Sequence, residues 1–261
     1  MKEFIKKIHK KKYYNEYGNI INEIIKYSDN PISIENYIYG NIARISYDIK
    51  IVKKYANKSS NILEIGGNTP IFSSILKSYG FDNITVTDPQ VELFQEYFIN
   101  YGINYKNYNI FDIPLKSAQE TYDIVCICEV LEHLSGNILK PIKNLVSLLK
   151  PEGLLYITTP NLRSISGLVS IIFFNSGLAS KPYETICDQY LLKEQKGYYG
   201  HIKEFTSGEV IDLLKSVGMK HKKSYHQADY RLKPLSQIIG LLELMAPKFR
   251  LFGKFVFEKQ K

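Results

Sequence analysis

The sequence is poor in cysteine and has no long apolar run. Three cysteines in 261 residues are too few and too widely spaced for a disulfide-stapled secreted scaffold. Cys126 and Cys128 lie two apart in an apolar stretch, a spacing that puts both on one face of a strand, and they read as reduced core residues. No metal-ligand spacing is visible, so no metal is indicated, and whether a metal assists stays open. The longest apolar runs, near residues 168–174 and 238–245, fall short of the ~20 residues a membrane-spanning helix needs. Residues 1–14, MKEFIKKIHKKKYY, are charged throughout and lack the apolar centre of a signal peptide. Repeats and low-complexity tracts are absent. A folded, soluble, cytoplasmic protein is expected.

The net charge is +8 and 44% of the residues are hydrophobic. A basic balance suits nucleic acid or an anionic membrane. Abundant Lys, Ile, Asn and Tyr instead point to AT-rich coding, which raises lysine everywhere, and the only dense basic block is residues 6–12. Nucleic acid is therefore not expected as a partner. Peripheral contact with a membrane, or with an acidic, phosphate-bearing substrate, stays open. The oligomeric state is not legible.

Residues 1–57 have helical periodicity, broken at Asn30-Pro31, and read as an N-terminal helical cap. Strands and helices then alternate. Strands are expected at 61–65, 84–87, 105–110, 122–128 and 154–158, with helices at 70–79, 92–101 and 138–150 and a turn at Pro151-Glu152-Gly153. This rhythm implies a mostly parallel α/β sheet covered on both faces, with ligands beyond the carboxyl ends of its strands. Residues 58–160 form the expected core, 161–200 a lid or insertion, and 201–261 the rest of the same sheet. Thr206 and Glu209 make a capping box for a helix closed by Gly218, and KFVFEK (254–259) alternates like a final strand.

The turn after the first strand reads LEIGGNTP, Leu63 to Pro70. Gly-x-Gly-x-x-Gly is absent, which argues against a dinucleotide. The substitutions keep the conformational options: Gly66 and Gly67 tolerate positive φ and close approach, Asn68 is next best in the left-handed region, Thr69 suits an N-cap and Pro70 a first helical position. A nucleoside without phosphates, such as S-adenosylmethionine, makes fewer demands on such a turn. Asp88, followed by Pro89, ends the second strand 24 residues after Glu64, where a carboxylate can accept both ribose hydroxyls. A turn-capping role is the alternative. Asp112, ending the third strand, is within reach of an adenine amino group or is an ordinary loop residue.

The densest stretch is YDIVCICEVLEHL, Tyr122 to Leu134, a strand ending in two carboxylates and a histidine. With Leu63–Gly66, Asp88, Asp112-Ile113-Pro114, Leu148–Gly153, Thr158–Asn161 and His201–Thr206, it resembles class I S-adenosylmethionine-dependent methyltransferases. The resemblance implies a Rossmann-like, seven-stranded, mostly parallel sheet and that cofactor, released as S-adenosylhomocysteine. It implies Glu64, Gly66, Gly67 and Asn68 at the methionine end, Asp88-Pro89 at the ribose, Asp112 and Ile113 at the adenine and Glu129 beneath the cofactor. Asn68 and Pro70 depart from the family's glycines. His133 and His201 are the candidate catalytic residues, as bases or substrate-facing groups. His9 reads as solvated, and His221 and His226 as surface or strand residues.

The Glu-x-Gly-x-Asn-x-Pro turn with His-x-x-Glu-Phe-Thr is similar to methyltransferases of bacterial surface-glycan pathways. It implies O-methylation of a nucleotide-linked sugar or polysaccharide such as capsule. The alternatives are a lipid or quinone methyltransferase using the 168–174 and 238–257 patches at a membrane surface, an rRNA or protein methyltransferase, and a non-catalytic cofactor-binding protein.

Overall fold

The computed structural model describes residues 2–111, 121–178, 185–196, 200–228, 242–243 and 246–261, with side chains from Lys12 onward. Two helices come first, α1 (Lys2–Lys26) and α2 (Pro31–Tyr55). The expected break lies between them: Asn30 caps α2 by accepting from the Ser33 amide, with Pro31 at the start. Then β1 (Ile62–Ile65), α3 (Ile71–Ser78), β2 (Ile84–Thr87), α4 (Gln95–Asn100), β3 (Asn104–Lys106), β4 (Tyr122–Cys128), α5 (Leu139–Leu148) and β5 (Leu149–Pro160) alternate. α6 (Ile165–Phe174), α7 (Ile186–Lys196), α8 (Ser207–Ser216), β6 (Met219–Gln227) and β7 (Phe252–Lys259) follow.

The strands form one seven-stranded sheet in the order β3-β2-β1-β4-β5-β7-β6. β1 to β5 are parallel; β7 is antiparallel to both β5 and β6. The order reverses between β1 and β4, so a crevice opens beyond their carboxyl ends. The strands' period of two divides the core. Ile62, Ile84, Val86, Ile124 and Cys126 face α1 to α4, where Ile21, Ile38, Ile42, Ile49 and Val52 pack. Leu63, Ile65, Val125, Ile127, Leu155 and Ile157 face α5 and α8. Each of these buried aliphatic side chains contributes about 1.5–3 kcal/mol.

Three local expectations needed correction. The third strand is only three residues long and ends before Tyr108, because Tyr108 and Ile110 turn into the α5 side of the core. The fifth strand begins at Leu149 rather than Leu154, so the Pro151-Glu152-Gly153 turn falls inside its span, without ladder partners on β4. The turn is an irregularity inside β5, with Glu152 at φ 63° and the β4 register shifting between Tyr122 and Ile124. Thr69 does not cap α3, which starts after Pro70 and has no side-chain cap; Ser73 and Ser74 hydroxyls instead bond the Pro70 carbonyl. The capping box at Thr206 and Glu209 is present. The 161–200 segment contains α6 and α7, and no described helix is long and apolar enough to cross a membrane. Most of the 238–245 patch lies outside the described residues.

A buried charge cluster fastens α2 to the sheet. Asp48, on α2, accepts from the Tyr156 hydroxyl on β5 at 2.7 Å and pairs with the Lys254 ammonium on β7. Arg44, one turn earlier, stands 3.6 Å from its other oxygen. Asp48 and Lys254 are both fully buried.

Candidate active site

β1 and β4 deliver their side chains to the crevice. Gly66 takes φ 78°, and a Cβ there would lie 2.4 Å from Val130 Cγ2. Gly67 needs no positive φ. It needs space: a Cβ would meet Val86 Cγ1 at 2.5 Å and Glu64 Cδ at 2.8 Å. Both amides donate to the Thr87 carbonyl, at 2.8 and 3.3 Å. The glycines thus lock β1 to β2 and clear room for a ligand, rather than offering it donors. Asn68 does not adopt the left-handed conformation expected of it. That conformation falls on Glu129, at φ 56°, where β4 ends. The strain costs about 1–2 kcal/mol, and a Thr158 hydroxyl bond to Glu129 Oε1 at 3.0 Å holds it.

The recess is rich in unsatisfied acceptors. Glu64 Oε2 and Asn68 Oδ1 are buried without a hydrogen-bond partner. Burial pushes the Glu64 carboxyl up to about 8, with bonds from Ser73 opposing and the Asp88 charge adding. Asp88 accepts from the Gln90 amide at 2.7 Å; burial raises its carboxyl, and the Gln90 and Asn68 amides oppose the rise. From α2, Tyr37 and Arg44 reach over the same space. Both interact electrostatically with Glu129 and Cys128, and Tyr37 also with Glu64. Tyr37 is nonetheless 46% exposed, so it lines an open recess and not the core. Arg44 is buried; burial disfavours its charge, but Glu129 and Asp48 outweigh that and hold it protonated.

These residues suit S-adenosylmethionine. Orphaned acceptors at Glu64 and Asn68 fit an ammonium, the Arg44 guanidinium fits a carboxylate, and Asp88 fits a diol. The two glycines leave no Cβ in the way. Arg44 and Tyr37 were not legible as site residues, because an arginine inside an amphipathic helix reads as solvated. Asp112 and Ile113 lie outside the described residues.

A pH dependence follows from Glu64. Between about pH 4.5 and 8 the folded chain holds a proton there that the unfolded chain has released, so stability falls as pH rises through that window. The apo protein should show a melting temperature that declines from pH 5 to 8, and Glu64→Gln should flatten the slope. Cofactor binding at pH 7 should release part of a proton, measurable by calorimetry in buffers of different ionisation enthalpy.

The two predicted histidines come together. His133 follows β4, and His201 precedes α8. Their rings meet edge to face with centroids 4.9 Å apart. His133 Nδ1 donates to the Gly200 carbonyl at 2.6 Å, and His201 Nδ1 to Glu204 Oε1 at 2.8 Å. Glu132, fully buried, accepts from the Thr159 hydroxyl at 3.0 Å, and its carbonyl accepts from the Ile202 amide at 2.7 Å. Sequence reading placed Glu132 and Glu204 in its motifs but gave neither a role, because their partners lie on distant segments. His221 and His226 are β6 residues bonded to Ser224 and Ser207, apart from this group.

Comparison with known proteins agrees with this geometry. A family model described as a methyltransferase domain matches residues 36–221. The ubiquinone biosynthesis O-methyltransferase of Rickettsia canadensis (strain McKiel) is 26% identical over 188 residues, spanning 70% of this chain and 73% of the relative. The Rickettsia typhi (strain ATCC VR-144 / Wilmington) protein of the same name is 30% identical over 177 residues, spanning 66% and 70%. A SAM-dependent methyltransferase from Archaeoglobus fulgidus shares the fold with TM-score 0.57 at 14% identity, over 88% of this chain and all of that one. Burkholderia thailandensis 1,6-didemethyltoxoflavin-N1-methyltransferase, solved with S-adenosylhomocysteine, shares it with TM-score 0.52 at 13% identity, over 84% and 79%. The chain belongs to the methyltransferase-domain family and is a class I S-adenosylmethionine-dependent methyltransferase.

Proposed function

We propose that this enzyme O-methylates an aromatic hydroxyl of a lipid-borne quinone precursor at a membrane surface. The observation that carries this reading is the exposed apolar last turn of α6. The helix's buried stripe is small, Gly167 and Ser170, and a Cβ at Gly167 would collide with the Leu162 carbonyl at 2.0 Å. In the last turn the apolar side chains point outward: Ile171, Ile172, Phe173 and Phe174 are 45–74% exposed. A soluble helix normally does the reverse, and contiguous exposed apolar surface marks an interaction site. α6 follows the carboxyl end of β5, the edge on which the recess opens. The ubiquinone O-methyltransferase names of the relatives support the same acceptor. The carbohydrate acceptor implied by the motif combination gives way to this reading, because no relative above carries such a name.

The chain's own residues have limited work to do. Bound S-adenosylmethionine supplies a methyl group already activated on a sulfonium. Glu64, Gly66, Gly67, Asn68, Asp88, Pro89 and Arg44 hold and orient it, with Asp112 and Ile113 assigned to the adenine end. Glu129 shapes the floor, Tyr37 covers the opening, and His133 and His201 serve the acceptor. Positioning of this kind supplies most of the rate.

Flotation with liposomes containing anionic lipid tests the surface. The protein should float, and Ile172→Asp with Phe173→Asp should leave it in the soluble fraction with cofactor affinity intact. Incubation with labelled cofactor and fractionated extract tests the acceptor: label should enter the lipid fraction, and label confined to carbohydrate or RNA would refute the reading.

A further inference from the structure

We propose that Lys254, on β7, is a positioning residue for cofactor binding: it occupies Asp48, so that the Arg44 guanidinium stays available to the carboxylate of the cofactor. Its role rests on the reading of the recess as an S-adenosylmethionine site.

The bonds around Asp48 divide unequally between its two oxygens. Oδ1 accepts from the Tyr156 hydroxyl at 2.7 Å and from the Lys254 ammonium. Oδ2 is buried and accepts no hydrogen bond, although Arg44 Nη1 stands 3.6 Å away. That separation is beyond hydrogen-bond range. An aspartate and an arginine one helical turn apart are placed to close into a charge-assisted pair. Here Lys254 and Tyr156, both on the sheet, draw the carboxylate to themselves and hold that pair open.

Glu129, the other carboxylate that acts on Arg44, is restrained as well, since its Oε1 accepts from the Thr158 hydroxyl at 3.0 Å. Among the described residues, the guanidinium makes one side-chain hydrogen bond, from Nη2 to Asn41 Oδ1 at 3.5 Å. Arg44 is nonetheless buried. A buried guanidinium with most of its N–H fork unused is costly, and a planar carboxylate is the group that fits the fork. The Phe252 ring lies 5.9 Å from the Arg44 guanidinium carbon and 6.0 Å from the Lys254 ammonium, so it attracts both cations weakly and competes with neither for a hydrogen bond.

Two cations therefore share one aspartate. Loss of the Lys254 ammonium has two effects of the same sign. It returns Asp48 to Arg44, and it deletes a positive charge near the recess. Both lower affinity for an anionic group, and neither acts on a ligand that lacks one. Lys254 is fully buried and acts through Asp48 and Arg44.

The test is calorimetry on the full chain with two compounds: S-adenosylmethionine, and its decarboxylated form, which keeps the sulfonium and the ammonium. Wild type should prefer S-adenosylmethionine. Lys254→Met should weaken S-adenosylmethionine at least about 10-fold, and change the decarboxylated compound by less than about 2-fold. In an Arg44→Gln background Lys254→Met should add no further loss for either compound. A lysine with a merely structural role would weaken both compounds alike. That result, S-adenosylmethionine affinity undiminished by Lys254→Met, or a loss that persists without Arg44 would overturn the proposal. Should Lys254→Met fail to fold, Tyr156→Phe decides, because it also frees Oδ1 of a bond: it should weaken S-adenosylmethionine alone, by about 3-fold, and no such selective loss would overturn the proposal. A wild type that binds neither compound would sink the recess reading itself. One that binds both, with no carboxylate-selective response to the variants, sinks the role of Lys254 alone.

Discussion

Asp48→Ala should lower the unfolding free energy by about 3–5 kcal/mol, because it leaves the Lys254 ammonium fully buried with no counter-charge. It also removes the acceptor of the Tyr156 hydroxyl. Arg44 loses one of the two carboxylates that hold it charged. The denaturation midpoint in urea measures the effect. Replacing both partners by apolar residues of similar volume, as in Asp48→Leu with Lys254→Met, should recover most of the loss, since two paired charges and two packed side chains are nearly equivalent in a dry core. The single variant should also bind cofactor more weakly, because α2 carries Tyr37 and Arg44 into the recess. A stable Asp48→Ala protein would mean that water reaches Lys254 and that the cluster does not fasten the helix.

Asp88→Ala should weaken S-adenosylmethionine binding about 100-fold, close to 2.7 kcal/mol, the loss of two hydrogen bonds to an ionised carboxylate. The fold should survive, since Asp88 lies at the rim of the sheet and is only partly exposed. It also organises its own turn through the Gln90 amide. Asp88→Asn separates the two roles: it keeps an acceptor for Gln90 but loses the charge, so its affinity should lie between wild type and the alanine variant. Calorimetry on all three proteins measures this, and an alanine variant with unchanged affinity would refute the ribose assignment.

Much of the fold was legible because parallel strands covered on both faces are short apolar runs between glycines. Ile62–Ile65, Ile84–Thr87 and Tyr122–Cys128 fall within a residue of where the pattern puts them. The failures share a cause. Pro151-Glu152-Gly153 does turn, but pairing of Leu149 with Tyr122 starts the strand before it, which residue types alone do not show. Asn68 has the right chemistry for a left-handed residue, yet the strain went to Glu129, which no local preference marks. In the site, Glu64, Gly66 and Asp88 stand at strand ends and declare themselves. Arg44, Tyr37 and Glu132 acquire meaning only when α2 and residues 200–206 close over those ends. The partnership of His133 with His201 spans too much sequence for spacing to reveal.

The position of β7 has a consequence for biosynthesis. β5 finds its outer neighbour only about ninety residues further along the chain, a long-range pairing of the kind that slows folding. While the intervening segment is being translated, the flank of β5 offers bare peptide groups to any other nascent chain. Arrival of β7 seals that flank and seats Lys254 against a helix made long before, so the ion pair joins residues 206 positions apart only late in synthesis.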